Sequence, residues 1–250
     1  MTANTTYCAF TQNALDLDGN AEQFFEVCFT TGASTDTTAP QVKLISPPNS
    51  FLNVPTNTLV QMMFDGPISL VSTGQVTLQV SGSPIPITRS LINGDRGLQL
   101  TPSVPLAPNT AHTISIVGVK DLAGNTIASS VSSSFTTGAG IDLVTPGLVS
   151  VTPANLATSV PTSTTVKAVF TKAMDAASFD PTTTFKLTDF NGAIVPATIS
   201  ASSDLKTFTL TPSAALTGGG KTYTVTISSS LMDLAGNNLN VFSTTTFTTQ

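Results

Sequence analysis

The sequence predicts an all-β protein made of tandem β-sandwiches and preceded by a partial repeat that supplies a terminal β-hairpin. Three observations carry this expectation. The chain repeats itself at offsets of 106 to 112 residues, apolar residues alternate at a period of two with Thr on the other face, and the remainder is crowded with Thr, Ser, Asn, Gly and Pro. At 250 residues there is room for two domains of ordinary size.

The repeats fix the order of elements. Ser46-Pro47 through Val54-Pro55-Thr56 lies over Thr152-Pro153 through Val160-Pro161-Thr162, and Phe64 falls on Phe170. Leu100-Thr101-Pro102 matches Leu210-Thr211-Pro212, Asp121 to Asn125 matches Asp233 to Asn237, and Phe135-Thr136-Thr137 matches Phe247-Thr248-Thr249. A third, partial copy opens the chain, where Asn4 to Asn20 lies without a gap over Asn109 to Asn125 and Phe29-Thr30-Thr31 follows. Three segments result: 1–32, holding the last two strands of a repeat, and two sandwiches over 38–138 and 144–250. Some six strands found in the other copies are missing ahead of the first tail, so the expectation is a chain cut from a longer array, which stacked repeats tolerate.

Within each repeat the period is two. Val60, Met62 and Phe64 alternate with Gln61 and Met63; Val76, Leu78 and Val80 alternate with Thr77 and Gln79; Phe208 and Leu210 flank Thr209; Val225 and Ile227 flank Thr226. This is the pattern of half-buried antiparallel strands, and two sheets packed face to face bury it economically. Turn clusters at Asn93-Gly94-Asp95 and Gly218 to Gly220 separate the runs, and no helix of convincing length is expected. The linkers Gly32 to Ala39 and Gly138 to Thr145 are short, polar and closed by Pro, as suits modules that bend only modestly.

Two motifs recur with a physical role. In Asp121-Leu122-Ala123-Gly124-Asn125, and again in Asp233-Leu234-Ala235-Gly236-Asn237, the Asp carboxylate is placed to accept backbone N–H groups while Gly takes a left-handed conformation. Tyr7, His112 and Tyr223 are the only Tyr and His residues and share one repeat position. They are expected at a structural corner, where a Tyr hydroxyl turns back onto nearby backbone and an imidazole does so less well; a ligand or pH-sensing role is the alternative for His112.

Taken together, Pro40 with Ser46-Pro47, Val54-Pro55, Phe64, Leu100-Thr101-Pro102, Leu106, Asp121 to Asn125 and Phe135-Thr136-Thr137 resemble bacterial immunoglobulin-like domains of the type first recognised in S-layer proteins. Phe170-Thr171-Lys172-Ala173-Met174-Asp175 adds to this in the second copy, whereas the first copy departs at Phe64-Asp65-Gly66-Pro67-Ile68-Ser69. The resemblance implies tandem immunoglobulin-like β-sandwiches in an extracellular or cell-surface bacterial protein, where such domains serve as stalks, spacers or layer-forming units.

Candidate chemistry is thin. Cys8 and Cys28 lie on the strands flanking the Asp16 to Asn20 turn, on the face opposite Tyr7 and Phe29. A cross-strand disulfide and two unpaired thiols both fit, whereas a zinc site lacks ligands. Asp16, Asp18 and Asn20 have the oxygen spacing of a calcium loop without its closing Glu; a plain structural turn competes with calcium held between this turn and a linker Asp, Asp36 or Asp142. Thr217 to Thr222 only mimics a phosphate loop, since it leads into a strand. No catalytic triad or acid pair is marked, so an enzyme is not expected and no cofactor is called for.

Partners follow the same logic. Nine Lys+Arg against fourteen Asp+Glu leave no positive field for nucleic acid. No apolar run is long enough to enter a membrane, and residues 1–7 show no secretion signal. Neighbouring repeats are the first expected partners. Adhesion to surface glycans or a host protein is a rival reading weakened by the absence of Trp, and self-assembly with other copies into a layer or filament is another, permitted by a mean hydropathy of +0.26.

Overall fold

Apolar alternation becomes sheet wherever two runs can bury one face against each other. The computed structural model describes residues 1–250 and is all-β apart from two short 3-10 segments, Leu70–Gln75 and Ala176–Ser178. No helix is long and apolar enough to cross a membrane.

The chain opens with a hairpin of β1 (Thr6–Thr11) and β2 (Phe25–Thr30), paired so that Cys8 faces Cys28 and Tyr7 faces Phe29. The first sandwich follows with β3 (Val42–Ser46), β4 (Phe51–Val54), β5 (Val60–Phe64), β6 (Thr77–Val80), β7 (Ser83–Pro84), β8 (Ile87–Ile92), β9 (Gly97–Pro102), β10 (Ala111–Ile116) and β11 (Val131–Thr137). Its sheets run β3-β5-β9-β8 and β4-β11-β10-β6-β7. The second sandwich comprises β12 (Leu148–Thr152), β13 (Ala157–Val160), β14 (Val166–Phe170), β15 (Phe185–Thr188), β16 (Ala197–Ala201), β17 (Thr207–Pro212), β18 (Thr222–Ile227) and β19 (Ser243–Thr249). Its sheets, β12-β14-β17-β16 and β13-β19-β18-β15, repeat the first arrangement. This is the strand order of an immunoglobulin sandwich whose first strand is split between the sheets. All pairings are antiparallel except β4 with β11 and β13 with β19, which are parallel.

Each sandwich has its own core. Val60, Met62, Phe64, Leu98, Leu100, Ile114 and Phe135 are buried in the first. In the second, Phe170, Phe185, Phe208, Tyr223, Val225 and Phe247 are buried, with Phe179 stacked on Phe208 at 3.6 Å. Ser46 and Gln61 depart from simple alternation, because both are buried although they lie on the outward face of their sheet. The 3-10 segment Ala176–Ser178 of the second sandwich packs against β3 and β5, so the outer face of the first sandwich is covered at that end. The hairpin contrasts with both sandwiches: Phe10, Phe24, Phe25, Val27 and Phe29 are exposed.

Candidate functional site

The three Asp…Asn turns share one construction. Oδ1 of Asp16, Asp121 and Asp233 accepts the backbone N–H of Asn20, Asn125 and Asn237 at 2.9 Å in each case. Oδ2 accepts the amide of the same Asn at 2.9, 2.8 and 2.9 Å. Gly19, Gly124 and Gly236 sit at φ of 84°, 93° and 85°, which a β-carbon would oppose. Asn20 bonds hold the Asp16 carboxyl below the usual carboxylate range. At Asp121 burial pushes the other way, but the bonds from Asn125 outweigh it and the net displacement is downward. These carboxylates are committed to their turns. Asp18, exposed, gives its backbone N–H to Asp16.

In the two sandwiches the same Asn amide reaches further. Asn125 Nδ2 donates to the Asp36 carbonyl and Asn237 Nδ2 to the Asp142 carbonyl, both at 3.1 Å, so each turn clasps the linker that enters its own domain. The second clasp contains a lysine. Lys172 Nζ donates to Asp233 Oδ2 at 2.8 Å and to the Val144 carbonyl at 2.6 Å, and it pairs with the Asp142 carboxylate. Burial disfavours charge at both ends, but the bonds between them prevail: Lys172 is held above its ordinary value and Asp142 below. Asp142, a calcium candidate by sequence, thus meets a cation supplied by the chain itself. The first clasp has Gly66 at the Lys172 position.

The second turn also receives the tip of the preceding domain. The Leu234 carbonyl accepts both Thr58 Oγ1 at 2.7 Å and Leu59 N–H at 3.0 Å. Asn57 exchanges two bonds with the Asp142 backbone, at 3.0 and 2.9 Å, and Thr56 N–H donates to the Gly140 carbonyl. The left-handed φ of 85° is what calls for glycine at Gly236, and a Cβ there would also stand 2.9 Å from Leu59 Cδ1, pushing that side chain aside. Beside this contact Asp175 is buried and accepts the Ala177 N–H at 2.9 Å. Burial pushes its carboxyl up to about 6, and the Ser46 hydroxyl sits next to it without a hydrogen bond of ordinary geometry. A cleft of about 470 Å³ remains between the domains, with Leu44, Met63 and Arg96 on one side and Phe179 and Thr184 on the other. The junction thus adds direct bonds between the domains to a short, Pro-closed linker. Lys172 and the tip Thr56 to Leu59 were missed as junction residues by sequence reasoning; the only signal was the Lys within the second copy's Phe170 to Asp175 motif.

The shared Tyr/His position resolves into two outcomes. Tyr223 Oη accepts the Thr217 N–H at 2.8 Å, and Tyr7 Oη accepts the Thr2 N–H at 2.7 Å. Fully buried His112 stacks on Phe135 and places Nδ1 2.9 Å from the Thr110 carbonyl, leaving Nε2 without a partner. The imidazole is shorter than a phenol, so it does not reach the loop. Burial lowers the His112 pKa below its usual 6.5, with the Thr110 bond opposing. Because the unfolded chain binds the proton more tightly, this contribution to stability is complete above about pH 6.5 and lost as pH falls through the folded-state value. We expect His112→Tyr to raise stability by about 1 kcal/mol and to abolish this acid dependence of the first sandwich. Thermal melts between pH 5 and 8 check it, and an unchanged pH slope contradicts it.

Cys8 and Cys28 form a disulfide across the hairpin, with Cα atoms 4.0 Å apart. Glu26 lies close to both sulfurs, but neither is a free thiolate able to bind a metal.

The profile of the bacterial Ig-like domain matches residues 36–137 and again 142–249. The chain belongs to the bacterial Ig-like family. Such domains are typical of bacterial surface proteins. No curated protein matches the chain. Among solved structures, similarity extends to the N-terminal part of the bacterial S-layer protein SbsC, at 14% identity over 84% of this chain and 44% of that one, with a TM-score of 0.31. Domains 1–6 of the surface layer protein SbsC match at 16% identity, covering 86% of this chain and 26% of that one, with a TM-score of 0.33. An L,D-transpeptidase from Mycobacterium smegmatis matches at 13% identity over 77% of this chain and 66% of that one, with a TM-score of 0.31. This Ig-like chain thus spans less than half the length of the two SbsC structures.

Proposed function

We propose that the chain is a non-enzymatic spacer of a secreted or surface-exposed bacterial protein, holding what lies on either side at a fixed distance under load. One observation carries the reading. In both sandwiches an early strand pairs in parallel with the last one, β4 with β11 and β13 with β19. Tension entering at the start of a domain and leaving at its end runs along these strands. The cross-strand bonds must then shear together instead of opening one by one. The hydrogen-bonded junction supports the same reading, because a spacer transmits distance only if its joints hold. The disulfide fits an oxidising compartment outside the cytosol.

Stretching the chain from its ends tests the proposal. We expect two discrete unfolding events, each releasing about 350 Å of contour for roughly 100 residues. Extension without force peaks contradicts a load-bearing role.

A further inference from the structure

The junction between the two sandwiches shows what an Ig-like repeat places on the turn that follows it, and the same turn in the first sandwich is bare. Leu234 is 3% exposed beneath the preceding tip, whereas its counterpart Leu122 is 70% exposed. The Leu122 carbonyl receives no backbone hydrogen bond, while that of Leu234 receives two bonds from Thr58 and Leu59. Yet the Asp121–Asn125 turn is built as its partner is, down to the 3.1 Å bond that clasps Asp36.

The hairpin in front of this turn is bare in a matching way. Thr31 Oγ1 accepts the Thr5 N–H, as Thr137 Oγ1 accepts that of Thr110 and Thr249 Oγ1 that of Lys221. β1–β2 therefore repeats the geometry of β10–β11 and β18–β19. In those two hairpins the edges are paired, by β6 and β4 and by β15 and β13 respectively. Phe135 and Phe247 are each 1% exposed there, but Phe29 is 46% exposed.

We propose that the face of β1–β2 carrying Tyr7, Val27 and Phe29, together with the Asp121–Asn125 turn, forms one docking surface whose occupant is the front of another Ig-like repeat. Its two edge strands and facing sheet cover the hairpin, and its tip, of the kind seen at Thr56 to Leu59, settles on Leu122. The inference rests on the spacer reading only in assuming that adjoining repeats are joined as the two sandwiches are. The mechanical test above addresses that reading separately.

A graft tests the proposal in the full chain. The ungapped match of Asn4 to Asn20 with Asn109 to Asn125 sets the seam, so residues 38–108 are placed directly ahead of Asn4. Amide exchange in β1, β2 and the 121–125 turn should slow by at least about tenfold relative to the parent chain. Leu122→Asp should leave the parent's unfolding unchanged but restore fast exchange at the turn in the graft. A second graft, residues 144–219 ahead of Asn4, guards against one hybrid failing to fold. Unprotected hairpins in both grafts overturn the proposal. Protection of the hairpin without any at the turn also overturns it, because the tip would then not dock on Leu122.

Discussion

Asp233→Ala should lower the stability of the second sandwich by about 3 kcal/mol, on the order of 15 °C in its melting temperature, whereas Asp121→Ala in the first should cost about half as much. Both substitutions orphan the backbone N–H of the turn's Asn and remove one of the two bonds of its side-chain amide, leaving the one to the linker carbonyl. The asymmetry comes from Lys172. Asp233 is 1% exposed and holds the ammonium at 2.8 Å, so its loss leaves a partly buried cation with the Asp142 carboxylate and one carbonyl. Position 66 of the first sandwich is Gly and carries no such charge. Removing one partner from a desolvated pair costs more than the pair contributes while intact, because the remaining charge stays out of water. Calorimetry of the two variants checks this, and equal losses in both sandwiches contradict the role given to Lys172.

Reduction of the Cys8–Cys28 bond should unfold residues 1–32 while leaving both sandwich transitions in place. A two-stranded hairpin is marginal by itself in water, and closing a loop of this length restricts the unfolded chain by about 3 kcal/mol. Here the sheet faces offer little compensation, since Phe10, Phe25, Val27 and Phe29 remain exposed. Hydrogen exchange with and without reductant reads the outcome directly. Persistent protection of β1 and β2 after reduction would show that burial, not the crosslink, holds the hairpin; a drop in the first sandwich's melting temperature would show that the two are coupled.

The sheets were legible because their signal is periodic and repeated: Val60, Met62 and Phe64 point inward as alternation requires, and the same pattern recurs a repeat later. Gln61 and Ser46 were not legible as buried residues, because what covers them comes from another domain and leaves no period in their own strand. The junction was hidden for a related reason. Its tip, Thr56 to Leu59, is short and mostly polar, and the corresponding segment Thr162 to Thr165 has the same character, so neither stands out as a contact in the sequence. The shared position of Tyr7, His112 and Tyr223 could be read from the repeat. That the imidazole of His112 turns to Thr110 and leaves Nε2 alone depends on an ångström-scale difference in side-chain length that no pattern records. The sequence offered Asp142 only as a linker carboxylate sharing calcium with the Asp16–Asn20 turn; folding instead sets it against the Asp233–Asn237 turn and Lys172, which lies 30 residues further along the chain.

The contacts of Asn57, Thr58 and Leu59 with Asp142 and Leu234 hold the two sandwiches in one relative orientation. Spin labels at Thr88 and Thr198, exposed strand positions on different domains, test it by the width of their distance distribution. A single narrow distance that broadens in the Asn57→Ala, Thr58→Val double variant is the predicted result. A broad distribution in the unaltered chain, or one indifferent to those substitutions, contradicts it.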